Sequence, residues 1–242
     1  MLDTSEGPSL LAGTQPGRLG SLLGRFLTLG YRITGRHRYD DYRLERVEQL
    51  PILVLPSVAN PKLLRTGAFL ASQLDERIIT PEASVLDLGT GSGVCAIAAA
   101  RHAHRVVGTD INPAAIRCAR INALISGLEK RVEFREGDLF APVAEQQFDV
   151  VLFNPPFLEG TPTDGRDAAW RGRNIAQRFA AELSAHLTTH GSALLLLSSF
   201  GDTGSLFESE LAQRQFQLSM FARRRFVNET LSILRVTRAS GG

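Results

Sequence analysis

Three acids, three closely spaced glycines and one asparagine carry the chemistry suggested by this 242-residue sequence. The glycines lie in Val85-Leu-Asp-Leu-Gly-Thr-Gly-Ser-Gly93, at alternate positions between an apolar run and a small-residue run. Glycine at such positions lets the backbone turn tightly and lets a ligand approach the main chain. Asp87 lies in the first apolar run, Asp110 closes the second, and Asp138 closes the third in Glu-Gly-Asp-Leu139. An acid at the end of the second strand can accept both hydroxyls of a ribose. Loop and acid together predict a nucleoside-containing ligand. Capping and turn formation account for any one of these acids, but poorly for three at successive strand ends. The asparagine stands in Asn154-Pro-Pro-Phe157, directly after Phe148 to Phe153. Proline cannot donate to a sheet ladder, so Pro155 ends the strand. Each proline also restricts the residue before it. The result is a stiff corner that presents an amide and a ring where the strand leaves the core. The competing reading is a loop signal that happens to carry asparagine.

The elements that must position these residues follow from residue 84 onward. Ser84–Leu88, Arg105–Thr109, Val132–Arg135, Phe148–Phe153 and Ser192–Ser198 read as strands, and Phe216–Phe221 with Thr230–Val236 as a closing antiparallel pair. Helices are expected over Val94–Arg101, from Asn112-Pro113 to Gly127, and over Asn174–Thr189. Asn60-Pro61 predicts a further helix start, with Leu63, Gly67, Leu70 and Leu74 on one stripe. Alternating strand and helix predicts an α/β fold: a Rossmann-like, seven-stranded, mostly parallel sheet with helices on both faces and an antiparallel C-terminal strand. Residues 1–25, rich in Gly, Ser, Thr and Pro, read as a mobile segment. Residues 26–58, with Tyr31, Tyr39, Tyr42 and many arginines, read as an extension packed on a main domain of residues 59–242.

Composition narrows the class. Hydrophobic residues make up 43% and charged residues 21%, enough apolar material for a full core. A formal charge of +2 does not imply nucleic acid or membrane by itself. Lys62 and Lys130 are the only lysines among 27 basic residues; a GC-rich genome explains that bias as well as phosphate recognition does. Cys95 and Cys118 lack metal-type spacing, and His102-Ala-His104 has no third ligand nearby, so no metal is expected. No run reaches membrane-spanning length and no leader is evident, so the expected location is the cytoplasm and the expected state a monomer.

Two cofactor classes fit the glycine loop. Gly91-Ser-Gly93-Val-Cys-Ala96 meets the loose dinucleotide fingerprint G-x-G-x-x-G/A. The added Gly89 and Asp87 make the loop resemble the D-x-G-x-G-x-G loop of S-adenosylmethionine enzymes. With Asp110, Asp138 and Asn154-Pro-Pro-Phe157 in this order, the chain resembles class I methyltransferases that modify planar nitrogen. The resemblance spans roughly residues 60 to 238. It is strongest to the HemK-type N5-glutamine methyltransferases of translation release factors, especially their short archaeal and eukaryotic branch. Asp167-Ala-Ala-Trp170 followed by Gly172-Arg-Asn174, the strand before Ser198, and Asn228-Glu-Thr-Leu-Ser-Ile-Leu234 carry that likeness. Three features depart from it. Arg65 stands where an acid is usual, Phe157 replaces the commoner tyrosine, and the extension before residue 58 is additional.

The resemblance implies S-adenosylmethionine as cofactor, held by Thr66, Asp87, Gly89, Thr90, Gly91, Gly93, Asp110, Ile111, Asp138, Leu139 and Asn154. It makes Asn154, Pro155 and Phe157 the catalytic set: two acceptors grip the substrate NH2 and the ring stacks on its plane. A protein glutamine, as in a translation factor, is then the expected substrate. An exocyclic amine of rRNA, tRNA or DNA is the alternative, with Arg223–Arg225 and residues 32–46 as the basic path. Two further readings are an NAD(P)-dependent oxidoreductase and a non-catalytic scaffold of the same fold. The first lacks a Tyr-x-x-x-Lys proton donor, since every tyrosine precedes residue 43; the intact Asn154-Pro-Pro-Phe157 argues against the second.

Overall fold

Apolar side chains alternate between two faces along each central strand, and this alternation fixes the layers. The computed structural model describes residues 9–11, 41–161, 171–201 and 203–239. Most of the segment expected to be mobile (1–25), the first part of the extension (26–40) and Asp167–Trp170 lie outside the described residues. Eleven strands are described: β1 (Arg43–Val47), β2 (Leu50–Val54), β3 (Ser84–Leu88), β4 (Arg105–Asp110), β5 (Val132–Glu136), β6 (Phe148–Phe153), β7 (Leu158–Glu159), β8 (Arg171–Gly172), β9 (Leu187–Ser198), β10 (Phe216–Arg225) and β11 (Thr230–Arg238). The helices are α1 (Thr66–Ala71), α2 (Val94–Ala100), α3 (Pro113–Ile125), α4 (Ile175–His186) and α5 (Thr203–Gln213).

Seven strands form the central sheet in the order β10-β11-β9-β6-β3-β4-β5. The pairings from β9 to β5 are parallel, and β11 runs antiparallel to both neighbours. Val85, Val150, Leu152, Leu194, Leu196, Leu231 and Ile233 face one core with α1, α2 and α3. Leu86, Leu88, Val151, Phe153, Leu195, Leu197, Leu234 and Val236 face the other with α4 and α5. In the second core Phe153 lies 4.9 Å from Phe179 and 6.0 Å from Phe207 between ring centroids. That packing fixes the end of β6, and so the backbone from which Asn154 leaves. The β1–β2 hairpin is tied to the first core through α3. Asn122 Oδ1 accepts Leu53 N–H at 2.7 Å, and its Nδ2 donates to the carbonyls of Leu53 and Ser92.

Several boundaries differ from the sequence expectation. No helix begins at Asn60-Pro61. Asn60 Oδ1 instead accepts the amides of Lys62 and Leu63 and closes a turn. Arg65 then takes a left-handed conformation (φ 63°), so helical geometry starts only at Thr66. Helix α4 stops at His186 rather than Thr189, because Leu187 is already extended and opens the long β9. Helix α5 was not expected at all. Its apolar residues Phe207 and Leu211 are one turn apart and fully buried, in a stretch otherwise rich in Gly, Ser and Glu.

Candidate active site

Parallel strands end together, so the turns after β3, β4, β5 and β6 gather at one edge of the sheet. Asp87 is 3% exposed near the end of β3. Its Oδ2 accepts Thr90 Oγ1–H at 2.7 Å and the Ala96 amide at 3.0 Å, so a strand residue satisfies one of the buried N–H groups in the first turn of α2. Burial pushes its carboxyl up to about 7 against these two hydrogen bonds, with the nearby Asp110 charge adding in the same direction. Gly89, Gly91 and Gly93 all have positive φ (64°, 55° and 82°). At Gly93 a Cβ would also meet Ala119 Cβ at 2.9 Å, whereas above Gly91 the nearest atom is Gly89 O at 3.9 Å. The loop therefore packs tightly at its helix end and is open at its middle.

Asp110 ends β4 and organises the neighbouring turns. Its Oδ2 accepts Gly91 N–H at 2.9 Å and its Oδ1 accepts Asn112 N–H at 2.8 Å. Its carbonyl accepts the Gly137 amide at 2.9 Å. Burial raises the Asp110 carboxyl above the usual carboxylate range, opposed by those two amides. Ile111 is 57% exposed beside it, an apolar surface at the rim of a polar turn. Asp138 stands just beyond β5 and pairs with Arg178 Nη2 of α4 at 2.5 Å. Leu139 follows with φ 46°, and its carbonyl accepts Thr109 Oγ1–H at 3.2 Å. Arg178 has no signal in the linear sequence, because it reaches Asp138 from 40 residues away.

At the end of β6, Asn154 Nδ2 donates to Thr66 Oγ1 at 3.1 Å, while its buried Oδ1 has no hydrogen-bond partner among the described residues. An unpaired buried acceptor leaves an unmet hydrogen-bonding capacity at the end of β6. Two glycines press on the corner that follows. A Cβ on Gly172 would lie 2.8 Å from Pro156 Cγ, and one on Gly201 would lie 2.1 Å from the Phe157 carbonyl oxygen. Phe157 is 5% exposed within the first core. Strands β7 and β8 pair in parallel beyond it, and Glu159 Oε1 accepts the Asn174 amide at 2.6 Å at the start of α4. Arg65 places its guanidinium 4.7 Å over the Phe226 ring, joining the start of α1 to the β10–β11 turn. The structure thus ties Asp87 and Asp110 to the glycine loop by hydrogen bonds, while Asp138 pairs with Arg178 instead. It puts Thr66 against Asn154, a contact that spacing along the chain gave no means of reading.

Two thiols lie beneath the surface, and Cys95 adjoins the site: its Sγ donates to the Gly67 carbonyl at 3.6 Å and it feels the Asp87 charge. Cys95 and Cys118 are buried free thiols, both pushed upward by burial, Cys118 to about 11. Among the described residues no group of three His, Cys, Asp or Glu side chains is placed to hold a metal ion, and no helix is long and apolar enough to cross a membrane.

This strand order, with a glycine loop after β3, an acid ending β4 and Asn-Pro-Pro after β6, defines a class I methyltransferase fold. Residues 56–219 match the model of the methyltransferase small domain. The chain belongs to that family and is an S-adenosylmethionine-dependent methyltransferase. It is 34% identical over 164 residues to a candidate protein N5-glutamine methyltransferase of Methanocaldococcus jannaschii, an alignment covering 64% of this chain and 81% of that one. It is 37% identical over 156 residues to the release factor glutamine methyltransferase of Aliivibrio fischeri, covering 61% of this chain. There it spans about half the relative's length, 53%. Among solved structures, the ribosomal protein L11 methylase of Lactobacillus delbrueckii shares the fold with a TM-score of 0.57 and 23% identity, over 84% of this chain and 92% of that one.

Proposed function

We propose that this methyltransferase acts on a planar NH2 group, and that its substrate is the side-chain amide of a protein glutamine. The observation that carries the reading is the buried, unpartnered Asn154 Oδ1 at the end of β6. An amide nitrogen is a poor nucleophile because its lone pair is delocalised. Asn154 Oδ1 and the Pro155 carbonyl accept its two hydrogens and aim the nitrogen. As the nitrogen becomes positive during transfer, these acceptors hold it more tightly than in the ground state. A neutral asparagine takes no proton, so its contribution is orientation and charge stabilisation. The methyl–sulfur bond breaks to leave S-adenosylhomocysteine, and the methylated nitrogen sheds its extra proton to water. Phe157 supplies an apolar wall through the small part of the residue left uncovered.

S-adenosylmethionine, when bound, supplies an electrophilic methyl group on a positively charged sulfur. The residues of the cleft suit it. The open middle of the loop at Gly91 admits a ligand close to the main chain. Asp87 and the backbone of Gly89, Thr90, Gly91 and Gly93 hold the methionine end. Asp110 receives the ribose hydroxyls, exposed Ile111 and Leu139 line the adenine, and Asp138 receives its amine. We take residues 59–242 as the methyltransferase domain and residues 26–58 as an extension of it. The glutamine methyltransferases named among the relatives support the choice of a protein acceptor over a nucleobase amine.

The test is methyl-labelled S-adenosylmethionine added with the enzyme to a fractionated lysate, treated in parallel with protease and with nuclease. Label lost to protease and mapped to a glutamine side chain is the expected result. Label that resists protease and disappears with ribonuclease would move the reading to a nucleobase amine.

A further inference from the structure

We propose that Thr66 is a positioning residue that couples occupancy of the cofactor cleft to the orientation of the Asn154 amide, an inference resting on the reading of Asn154 as the substrate's acceptor. The two ends of a primary amide have nearly the same shape, and a half-turn of the side chain exchanges them. Only with Oδ1 toward the substrate does Asn154 meet an N–H with an acceptor; the other orientation sets donor against donor. Thr66 Oγ1 accepts Nδ2 at 3.1 Å, and this contact leaves Oδ1 turned away from Thr66.

A hydroxyl has one hydrogen and two lone pairs. Thr66 can therefore hold the amide in either sense, by accepting from Nδ2 or by donating to Oδ1 after the half-turn. The second option disappears once the hydroxyl hydrogen is committed elsewhere. Among the described residues it has no acceptor. Thr66 is 1% exposed, so solvent does not supply one freely. Its position indicates what does. Thr66 opens α1 beside Gly67, and a Cβ on Gly67 would lie 3.3 Å from Val94 Cγ1, the residue that follows the glycine loop. Thr66 thus stands between the end of that loop and the asparagine corner. A carboxylate at the methionine end of the cofactor takes the hydroxyl hydrogen, a lone pair is left facing Nδ2, and Oδ1 is fixed toward the acceptor pocket. Binding is then ordered, with the cofactor first, and an empty cleft leaves the amide free to turn.

The test needs no identified substrate. The full chain is labelled with 15N, the Asn154 side-chain NH2 signal is assigned by its loss in Asn154→Asp, and its exchange with water is measured without and with S-adenosylhomocysteine. S-adenosylhomocysteine is expected to slow this exchange by about fivefold or more in the wild type and in Thr66→Ser, the factor for one net hydrogen bond. In Thr66→Val, which calorimetry should show still binding S-adenosylhomocysteine, the slowing should be less than about twofold. Equal protection in Thr66→Val and wild type overturns the coupling, as does absence of protection in the wild type. Should Thr66→Val fail to fold, an unprotected Thr66→Ser overturns it and a protected one supports it. The acceptor reading fails separately, through a folded Asn154→Ala that keeps its turnover, and that failure leaves the exchange measurement intact.

Discussion

Asp138 and Arg178 form an ion pair at 2.5 Å across the junction of β5 and α4, with their side chains 45% and 42% exposed. A pair this open contributes little to folding, about 0–1 kcal/mol, so its effect should be local. It holds the Asp138 carboxylate at the rim where we place the adenine amine. Arg178→Met should leave thermal stability nearly unchanged and weaken S-adenosylmethionine only a few-fold, roughly the share of one neutral contact. Asp138→Ala should cost roughly tenfold or less. Asp110→Ala should cost on the order of 100-fold, because a paired acceptor for two hydroxyls is worth about 2–3 kcal/mol. Calorimetry on the three variants gives this ranking; an Asp138→Ala loss exceeding that of Asp110→Ala would reverse the placement of ribose and adenine.

Asp87 predicts a pH dependence. Its folded carboxyl is pushed up to about 7 from the ordinary carboxylate value of 3.8, chiefly because it is buried. The folded state therefore binds this proton more tightly than the unfolded chain does. Its contribution favours folding at the acid end and is lost as pH rises through the interval from about 4 to about 7. Cofactor binding should have the opposite sign if, as we propose, Asp87 faces the methionine ammonium, which the ionised carboxylate attracts. S-adenosylmethionine affinity should rise about tenfold between pH 6 and pH 8 and become flat in Asp87→Asn. A wild-type affinity independent of pH in that range would mean the methionine end lies elsewhere.

Gly201 tests the corner from behind. A Cβ there would lie 2.1 Å from the Phe157 carbonyl oxygen and 2.7 Å from its Cβ, at a residue that directly follows two prolines. Gly201→Ala should lower stability by about 1–3 kcal/mol in urea denaturation, the usual cost of overpacking. Methyl transfer should fall further than stability alone accounts for, because the strain is relieved by moving the corner. A variant with full activity and an unchanged midpoint would show that the corner tolerates displacement.

The parallel strands were legible because each has a short apolar-rich stretch with a clear stop: Gly89 after β3, Asp110 closing β4, Gly137 after β5, Pro155 after β6 and the polar Ser198 closing β9. The glycine loop and Asp110 were legible for the same reason. What escaped depends on contacts between distant positions. Asn60-Pro61 carries the signals of a helix start, yet Asn60 spends its side chain on a local turn and Arg65 adopts positive φ, stacked against Phe226 from the far end of the chain. Helix α5 has too few apolar residues to announce itself, and only the burial of Phe207 and Leu211 under the sheet explains it. The candidate site divides in the same way. Asn154 was readable from its prolines. That its Nδ2 faces Thr66, 88 positions earlier, and that its Oδ1 has no partner among the described residues, follows from the fold between them.

The role of Asn154 Oδ1 is tested most directly by single-turnover methyl transfer in Asn154→Ala, measured beside the variant's affinity for S-adenosylmethionine. Affinity should stay within about twofold of wild type, because the lost acceptor faces the substrate rather than the cofactor, and transfer should drop by about 100-fold or more, the scale for removing one hydrogen-bond partner of a developing charge. Near wild-type transfer in a folded variant that binds the cofactor normally would contradict the account and leave Asn154-Pro-Pro-Phe157 as no more than the corner that ends a strand.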